Sequence, residues 1–193
     1  MTKKEEFIEI YNKYIHREGA DKLLAWLEKS DFFTAPASTR FHLSEEGGLA
    51  IHSINVYKRL VQLYTMEFWE LAEDDPMMES LAIVALLHDV CKVNFYAVSS
   101  RNVKDDKTGT WSKQPYYTVE EKLQFGYHGA KSLFLIERFM KLEVPEAISV
   151  ANHMGAYDRP NGDYSIGGAF ENCTLALLLS FSDQLASFVD EKE

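Results

Sequence analysis

The sequence predicts an all-α fold with one inserted β-hairpin. Apolar residues recur at helical spacing along most of the chain, prolines and glycines fall at the edges of those stretches, and one segment alone switches to a strand-like pattern. With 193 residues the chain is long enough for one domain with a hydrophobic core and too short for two ordinary catalytic domains and a linker. Residues 1–193 are therefore expected to form a single domain.

The elements follow in order. Residues 3–15 place Phe7, Ile8, Tyr11 and either Tyr14 or Ile15 on one face, and Lys22 to Leu27 begins a second, shorter amphipathic stretch. Segments 49–72, 77–90, 128–141, 144–154 and 170–190 continue the same rhythm. Pro76 and Pro145 sit where a helix start tolerates proline, and Gly47–Gly48 and Gly167–Gly168 are expected just before helices. Between Ala97 and Val119 the text AVSSRNVKDDKTGTWSKQPYYTV carries β-branched and aromatic residues on both sides of the turn-forming DDKTG, which predicts a hairpin over 97–119. No internal repeat or low-complexity tract stands out.

Charge and hydropathy narrow the function classes. The longest apolar runs, LAIVALL before His88 and LALLLSF before Asp183, are far shorter than the roughly 20 residues that span a bilayer. The opening MTKKEEFIEIYNKYI has lysines and then acids in helical rhythm, without the apolar stretch and small-residue cleavage site of a signal peptide, so the expected location is the cytoplasm. Cys91 and Cys173 form neither a CxxC pair nor a disulfide framework, in keeping with a reducing compartment. A formal net charge of −10 disfavours long nucleic acid, whose binding draws on Lys and Arg to release counterions. A small phosphorylated ligand is compatible with that charge, because bound cations and a few basic residues reverse the field inside a single pocket.

Most of the histidines share an unusual position on the apolar face of a helix or at its end. His52 lines up with Val56, Leu60 and Leu63; His88 with Leu81, Val84 and Ala85; His128 with Leu135 and Phe139; His153 with Val150. Asp183 follows Ala176 and Leu179 and precedes Ala186, while Asp89 follows His88 directly. Any one of these has an ordinary reading as a hydrogen-bonded core residue, and Asp183 alone as a cap or ion-pair partner. Together they would need a separate desolvation account each, which one shared cation replaces. Imidazole and carboxylate suit Zn, Mn, Fe, Co or Ni without choosing among them. One or two divalent ions are expected, and Asp89, whose two oxygens can serve two ions, is the natural bridge.

The order His52, His88–Asp89, His128, His153, Asp183 resembles the H…HD…H…H…D signature of the HD-domain superfamily, in the version that holds two metals. The resemblance runs from about Phe41 to Ala186, which leaves the helices of 1–30 as an extension. GGLAIHS around His52 is similar to a GGL..H run of HD hydrolases, and HDVCK resembles the HD.GK text of the phosphodiesterase branch, with Cys91 in place of the usual glycine and Lys92 kept. The resemblance implies an HD-type helical bundle with His52, His88, Asp89 and Asp183 on one metal. Asp89, His128 and His153 would hold the other, and Lys92 would contact the substrate phosphate. The plain alternative for Lys92 is a solvated residue at a helix end. His16 is read as surface, and His42 as lying near the cavity mouth.

The function so implied is hydrolysis of a phosphoester in a nucleotide-like small molecule through a metal-activated hydroxide, with Asp89 and Lys92 as catalytic residues. Bound metal lowers the pKa of water from about 15.7 towards 7. HD-type di-iron oxygenases resemble this ligand order too, and a nucleotide-binding sensor module is a further alternative. The hairpin is a candidate lid: Arg101 and Lys113 could reach phosphate, while Trp111, Tyr116 and Tyr117 offer faces for a base. Its aromatics could equally pack the hairpin onto the bundle.

Overall fold

A capping box opens the chain: Glu5 N–H donates to Thr2 Oγ1 at 3.2 Å and the Glu5 carboxylate accepts from Thr2 N–H at 2.7 Å, starting helix α1 (Lys3–Tyr14). The computed structural model describes residues 1–68, 71–123, 125–160, 163 and 165–192. After α1 come α2 (Ala20–Lys29), α3 (Gly48–Phe68), α4 (Met77–Leu87), strands β1 (Tyr96–Lys104) and β2 (Trp111–Val119), α5 (His128–Glu137), α6 (Val144–Asn152), α7 (Ser165–Asn172) and α8 (Thr174–Leu185). Short 3-10 turns cover Val90–Lys92 and Gly155–Asp158, and one π-helical turn, Ala186–Asp190, continues α8. The architecture is mostly helical with one antiparallel hairpin. Among the described residues no helix is long and apolar enough to cross a membrane.

Helix α4 is the axis of the core. The LAIVALL run, Leu81 to Leu87, is 0 % exposed at every position, as expected of a helix that is apolar all round and enclosed by others. It packs against α1, α3 and α6, while α8 lies against α3, α6 and α7. The N-terminal halves of α4 and α6 are tied through one buried carboxylate. Glu146, 1 % exposed, accepts both Arg17 guanidinium nitrogens (2.7 and 3.0 Å) and the Ser80 hydroxyl (2.7 Å), so its burial is matched by charged and neutral donors.

Several predicted boundaries shift. The helix expected over 49–72 runs from Gly48 to Phe68; positions 69 and 70 lie outside the described residues, and 71–72 are not helical. The 77–90 helix stops at Leu87, because His88 turns its ring back onto the Ala85 carbonyl, and the chain tightens into the Val90–Lys92 turn. The 128–141 helix ends at Glu137 and the 144–154 helix at Asn152. The 170–190 segment divides at Cys173, whose extended backbone (φ −140°, ψ 93°) ends α7 and starts α8. Gly167–Gly168 therefore lie inside α7 and mark no helix start.

The hairpin pairs Tyr96 with Val119 through to Lys104 with Trp111. Asp105 builds its turn by accepting Lys107 N–H (2.8 Å) and Thr108 N–H (2.7 Å). Near the bundle the Tyr96 hydroxyl donates to Ala37 O at 3.1 Å, and Asn94 N–H to Asp31 Oδ1 at 2.7 Å.

Helices α5 and α6 approach without room for a side chain at Gly129, where a Cβ would stand 2.3 Å from Ala151 O and 2.7 Å from Val150 O. Gly129→Ala must push the two helices apart. It is expected to destabilise by roughly 1–3 kcal/mol, read as a Tm lower by about 2–4 °C per kcal/mol for a chain of this size. An unchanged Tm would contradict the packing.

Candidate metal centre

Four helices deliver side chains to one buried point. His52 comes from the second turn of α3, His88 from the C-cap of α4 with Asp89 next to it, His153 from the C-cap of α6, and Asp183 from the last turns of α8. His52, His88, Asp89 and His153 are at most 2 % exposed. His88 Nδ1 donates to Ala85 O and His153 Nδ1 to Val150 O, both at 2.8 Å and both three residues back. Each bond satisfies a carbonyl at a helix end and fixes the tautomer, leaving the Nε2 lone pair of both rings aimed into the cluster.

The spacings suit ligands of a shared ion. His52 Nε2 lies 3.2 Å from Asp183 Oδ1, 3.3 Å from His88 Nε2 and 3.7 Å from Asp89 Oδ2; His88 Nε2 is 3.6 Å from Asp89 Oδ2, and His153 Nε2 is 3.5 Å from Asp89 Oδ1. Ligand atoms about 2.0–2.2 Å from a common centre stand roughly 2.8–3.6 Å apart at octahedral or tetrahedral angles. The donors form two overlapping sets, His52–His88–Asp183 and His88–Asp89–His153, and these buried groups could hold a metal ion. Asp89 turns one oxygen to each side. Among the described residues His153 Nε2 finds no hydrogen-bond partner although it is buried, the state of a ligand atom whose partner is an ion.

Electrostatics shows what such an ion displaces. Burial pushes the His52 imidazole down, but hydrogen bonds to Asp183 and Glu191 lift it to about 9. Burial and the neighbouring His153 and His52 outweigh Asp89 and lower His88 to about 4, so it stays neutral. Desolvation would raise Asp183, yet His52 holds it at about 2. Desolvation opposes ionisation of Asp89 as well, and Lys92 and the imidazoles overcome it. Burial lowers His153 as well, but Asp89 more than offsets it and lifts the imidazole above its ordinary value. Without metal, the carboxylates thus favour protons on the His52 and His153 imidazoles, and metal uptake displaces them.

Lys92 is no surface residue. Its ammonium sits 2.6 Å from Asp89 Oδ2 and donates to Ala37 O at 2.8 Å, which uses two of its three donors. A cavity of about 700 Å³ opens over Asp89, Lys92, His153 and Asp183 and is also lined by His42, Glu191 and aromatic side chains.

Glu191 carried no signal in the sequence. Its carboxylate, buried beside the cavity, lies 3.1 Å from His52 Nδ1 through both oxygens, and accepts His42 Nδ1 at 2.7 Å and the Asn55 amide at 2.9 Å. The π turn brings it inward: Glu191 N–H donates to Ala186 O, five residues back, and Arg59 pairs with Asp190. His52, Asn55 and Arg59 recur at helical spacing along α3, a polar stripe that asks for a partner without saying which acid of DEKE supplies it.

The remaining expected site residues lie elsewhere. His128 belongs to neither donor set; its ring is 38 % exposed, 3.7 Å from Asp158 Oδ1 and edge-on to Phe95. Helix α5 begins at His128 itself, so the ring sits at a helix start and is partly exposed there. Arg101 stacks over Tyr116, Trp111 is 69 % exposed, Lys113 is exposed, and Tyr117 lines a separate groove with Asp31 and Glu46. None of these lines the cavity over the donors. The loop after α2 explains the separation: its residues 34–36 face the hairpin groove while Phe41 and His42 face the cavity. His16 is exposed, as expected, and both cysteines are free and buried.

A carboxylate on the far nitrogen of a ligating imidazole fixes its orientation and raises its basicity, and losing it typically costs about 10–100-fold in metal affinity. Glu191→Ala is expected to weaken binding of a divalent ion by that factor in a chelator competition. His153→Ala should also weaken it, while His128→Ala should leave the tighter ion in place. Equal affinity in wild type and Glu191→Ala would remove Glu191 from the site.

Comparison of the chain with protein-family models, with curated proteins and with solved structures finds no match, so the reading of this cluster rests on its own geometry.

Proposed function

We propose that the chain is a metal-dependent phosphohydrolase of the HD type, acting on a small phosphoester. The observation that carries this is the setting of Asp89: one oxygen towards His52 and His88, the other towards His153, and the Lys92 ammonium against it at the floor of a cavity. The order of ligands along a mostly helical chain supports the HD resemblance, and His52, His88, Asp89, Asp183 and His153 converge as that resemblance implies.

His52, His88, Asp89 and Asp183 would hold one divalent ion, with Asp89 and His153 reaching a second; Mn, Fe, Zn, Co and Ni all suit the donors. An ion bound there supplies Lewis acidity towards a phosphoryl oxygen and acidifies water. The residues do the rest. Lys92, with one N–H free, offers a point charge to a phosphoryl oxygen. Asp89 holds that ammonium charged, since its pKa is driven up by the neighbouring carboxylate once the burial that opposes it is overcome. In the reaction a water oxygen bonds to phosphorus, the P–O bond to the alcohol breaks, and the alcohol leaves with a proton from that water.

Metal-stripped protein refilled with each candidate ion is expected to hydrolyse a generic phosphomonoester or diester. Asp89→Asn should lower the rate by at least about 100-fold, beyond the range seen for outer hydrogen-bond partners. Lys92→Ala should lower turnover, and Arg101→Ala, remote from the cavity, should match wild type. Iron content with a visible absorption band and no phosphoester cleavage would transfer the site to oxygen chemistry and overturn the proposal.

A further inference from the structure

Three large aromatic side chains stand exposed around one cavity. Phe41 (79 % exposed) comes from the loop before α3, Tyr157 (79 %) from the 3-10 turn after α6 and Phe188 (65 %) from the π turn after α8, and with Met154 they line the same space as Asp89, His153 and Asp183. Exposed apolar side chains gathered from separate elements onto one concave surface mark a binding wall. Flat faces favour a flat partner, because stacking accepts any ring with a π-face.

The charges of the same cavity limit the phosphate end. Lys92 and Lys192 are its ammonium groups, and no arginine lines it among the described residues. Three carboxylates, Asp89, Asp183 and Glu191, outnumber those two ammonium groups by one, so one divalent ion leaves a net charge of +1 and two ions leave +3. A phosphomonoester at neutral pH carries about −1.5 to −2, which falls inside that range. A triphosphate carries about twice as much, and enzymes that bind such chains surround them with backbone N–H groups, Lys and Arg. Two of the three Lys92 donors are already committed to Asp89 and Ala37.

We infer that this cavity selects a substrate with a single phosphoryl group joined to a flat aromatic group, a nucleoside monophosphate or an aryl phosphate, and turns away polyphosphates. The inference rests on the phosphohydrolase reading above and adds the selectivity.

The test uses the full chain loaded with manganese and compares kcat/KM for adenosine monophosphate, phenyl phosphate, glycerol phosphate and adenosine triphosphate. At least one of the two aromatic monophosphates should exceed glycerol phosphate by about tenfold or more, and adenosine monophosphate should exceed the triphosphate by a similar factor; the relative rates of the first two tell a nucleobase from a simple ring. Tyr157→Ala and Phe188→Ala should each reduce the aromatic-to-aliphatic ratio about tenfold. A second readout needs neither metal nor turnover: saturation-transfer NMR should detect adenosine on the metal-free protein and lose it in Tyr157→Ala and Phe188→Ala. Hydrolysis with the triphosphate preferred, or with glycerol phosphate equal to the aromatic esters, overturns the selectivity and leaves the phosphohydrolase reading standing. Failure to cleave any phosphoester overturns both.

Discussion

The burial of three imidazoles and a carboxylate at the meeting of α3, α4, α6 and α8 is the constraint on which the rest of the molecule depends. An ionised group removed from water needs charge partners and hydrogen bonds, and the bundle provides them one by one. Lys92 stands against Asp89, a protonated His52 joins Asp183 to Glu191, and backbone carbonyls take the Nδ1 protons of His88 and His153. Two helices end because of this arrangement: α4 and α6 stop where a histidine folds back onto its own last turn. Fold and site are therefore one solution. Among the described residues, His153 Nε2 is the buried side-chain atom left without a hydrogen bond, as a nitrogen waiting for an ion would be.

Much of this was legible in the sequence, and the rest was not, for physical reasons. Helical periodicity located α1, α3, α4 and α6 closely, because each buries an apolar stripe, and the Asp-Asp-Lys-Thr-Gly turn located the hairpin. His52, His88, His153 and Asp183 stand out in the sequence because an ionisable residue on an apolar face is costly, and the bundle brings the four side chains together. The same rule misplaced His128, which begins α5 and so stands at the helix edge. Periodicity could not see the break at Cys173, since apolar residues continue across it. Glu191 was hidden in a charge run whose members differ only by the π turn that rotates one of them inward. The aromatic wall escaped notice because Phe41, Tyr157 and Phe188 lie in three irregular segments, each a lone aromatic in the sequence.

The hairpin shows the limit of arguing from proximity along the chain. It follows Lys92 within a few residues, yet Tyr96 and Tyr117 face another groove, which they share with residues 34–36, and Arg101, Trp111 and Lys113 line neither that groove nor the cavity over the donors. The loop carrying Ala37 to His42 is anchored by the site itself: Ala37 O accepts from Lys92 and Tyr96, and His42 donates to Glu191. The wall of the cavity and the donors at its floor are thereby coupled. Asp89, Asp183 and Glu191 gather at this cavity, a local excess of negative charge that a bound cation would offset.

The proposed chemistry turns on a divalent ion among the imidazoles and carboxylates at the floor of the cavity. Anomalous diffraction from crystals equilibrated with manganese measures this directly. The expected result is an anomalous peak within bonding distance of His88 Nε2 and an Asp89 oxygen, with His52 and Asp183 or His153 completing its ligands. A peak confined to the His128–Asp158 pair or to the protein surface, or no peak at all, would contradict it.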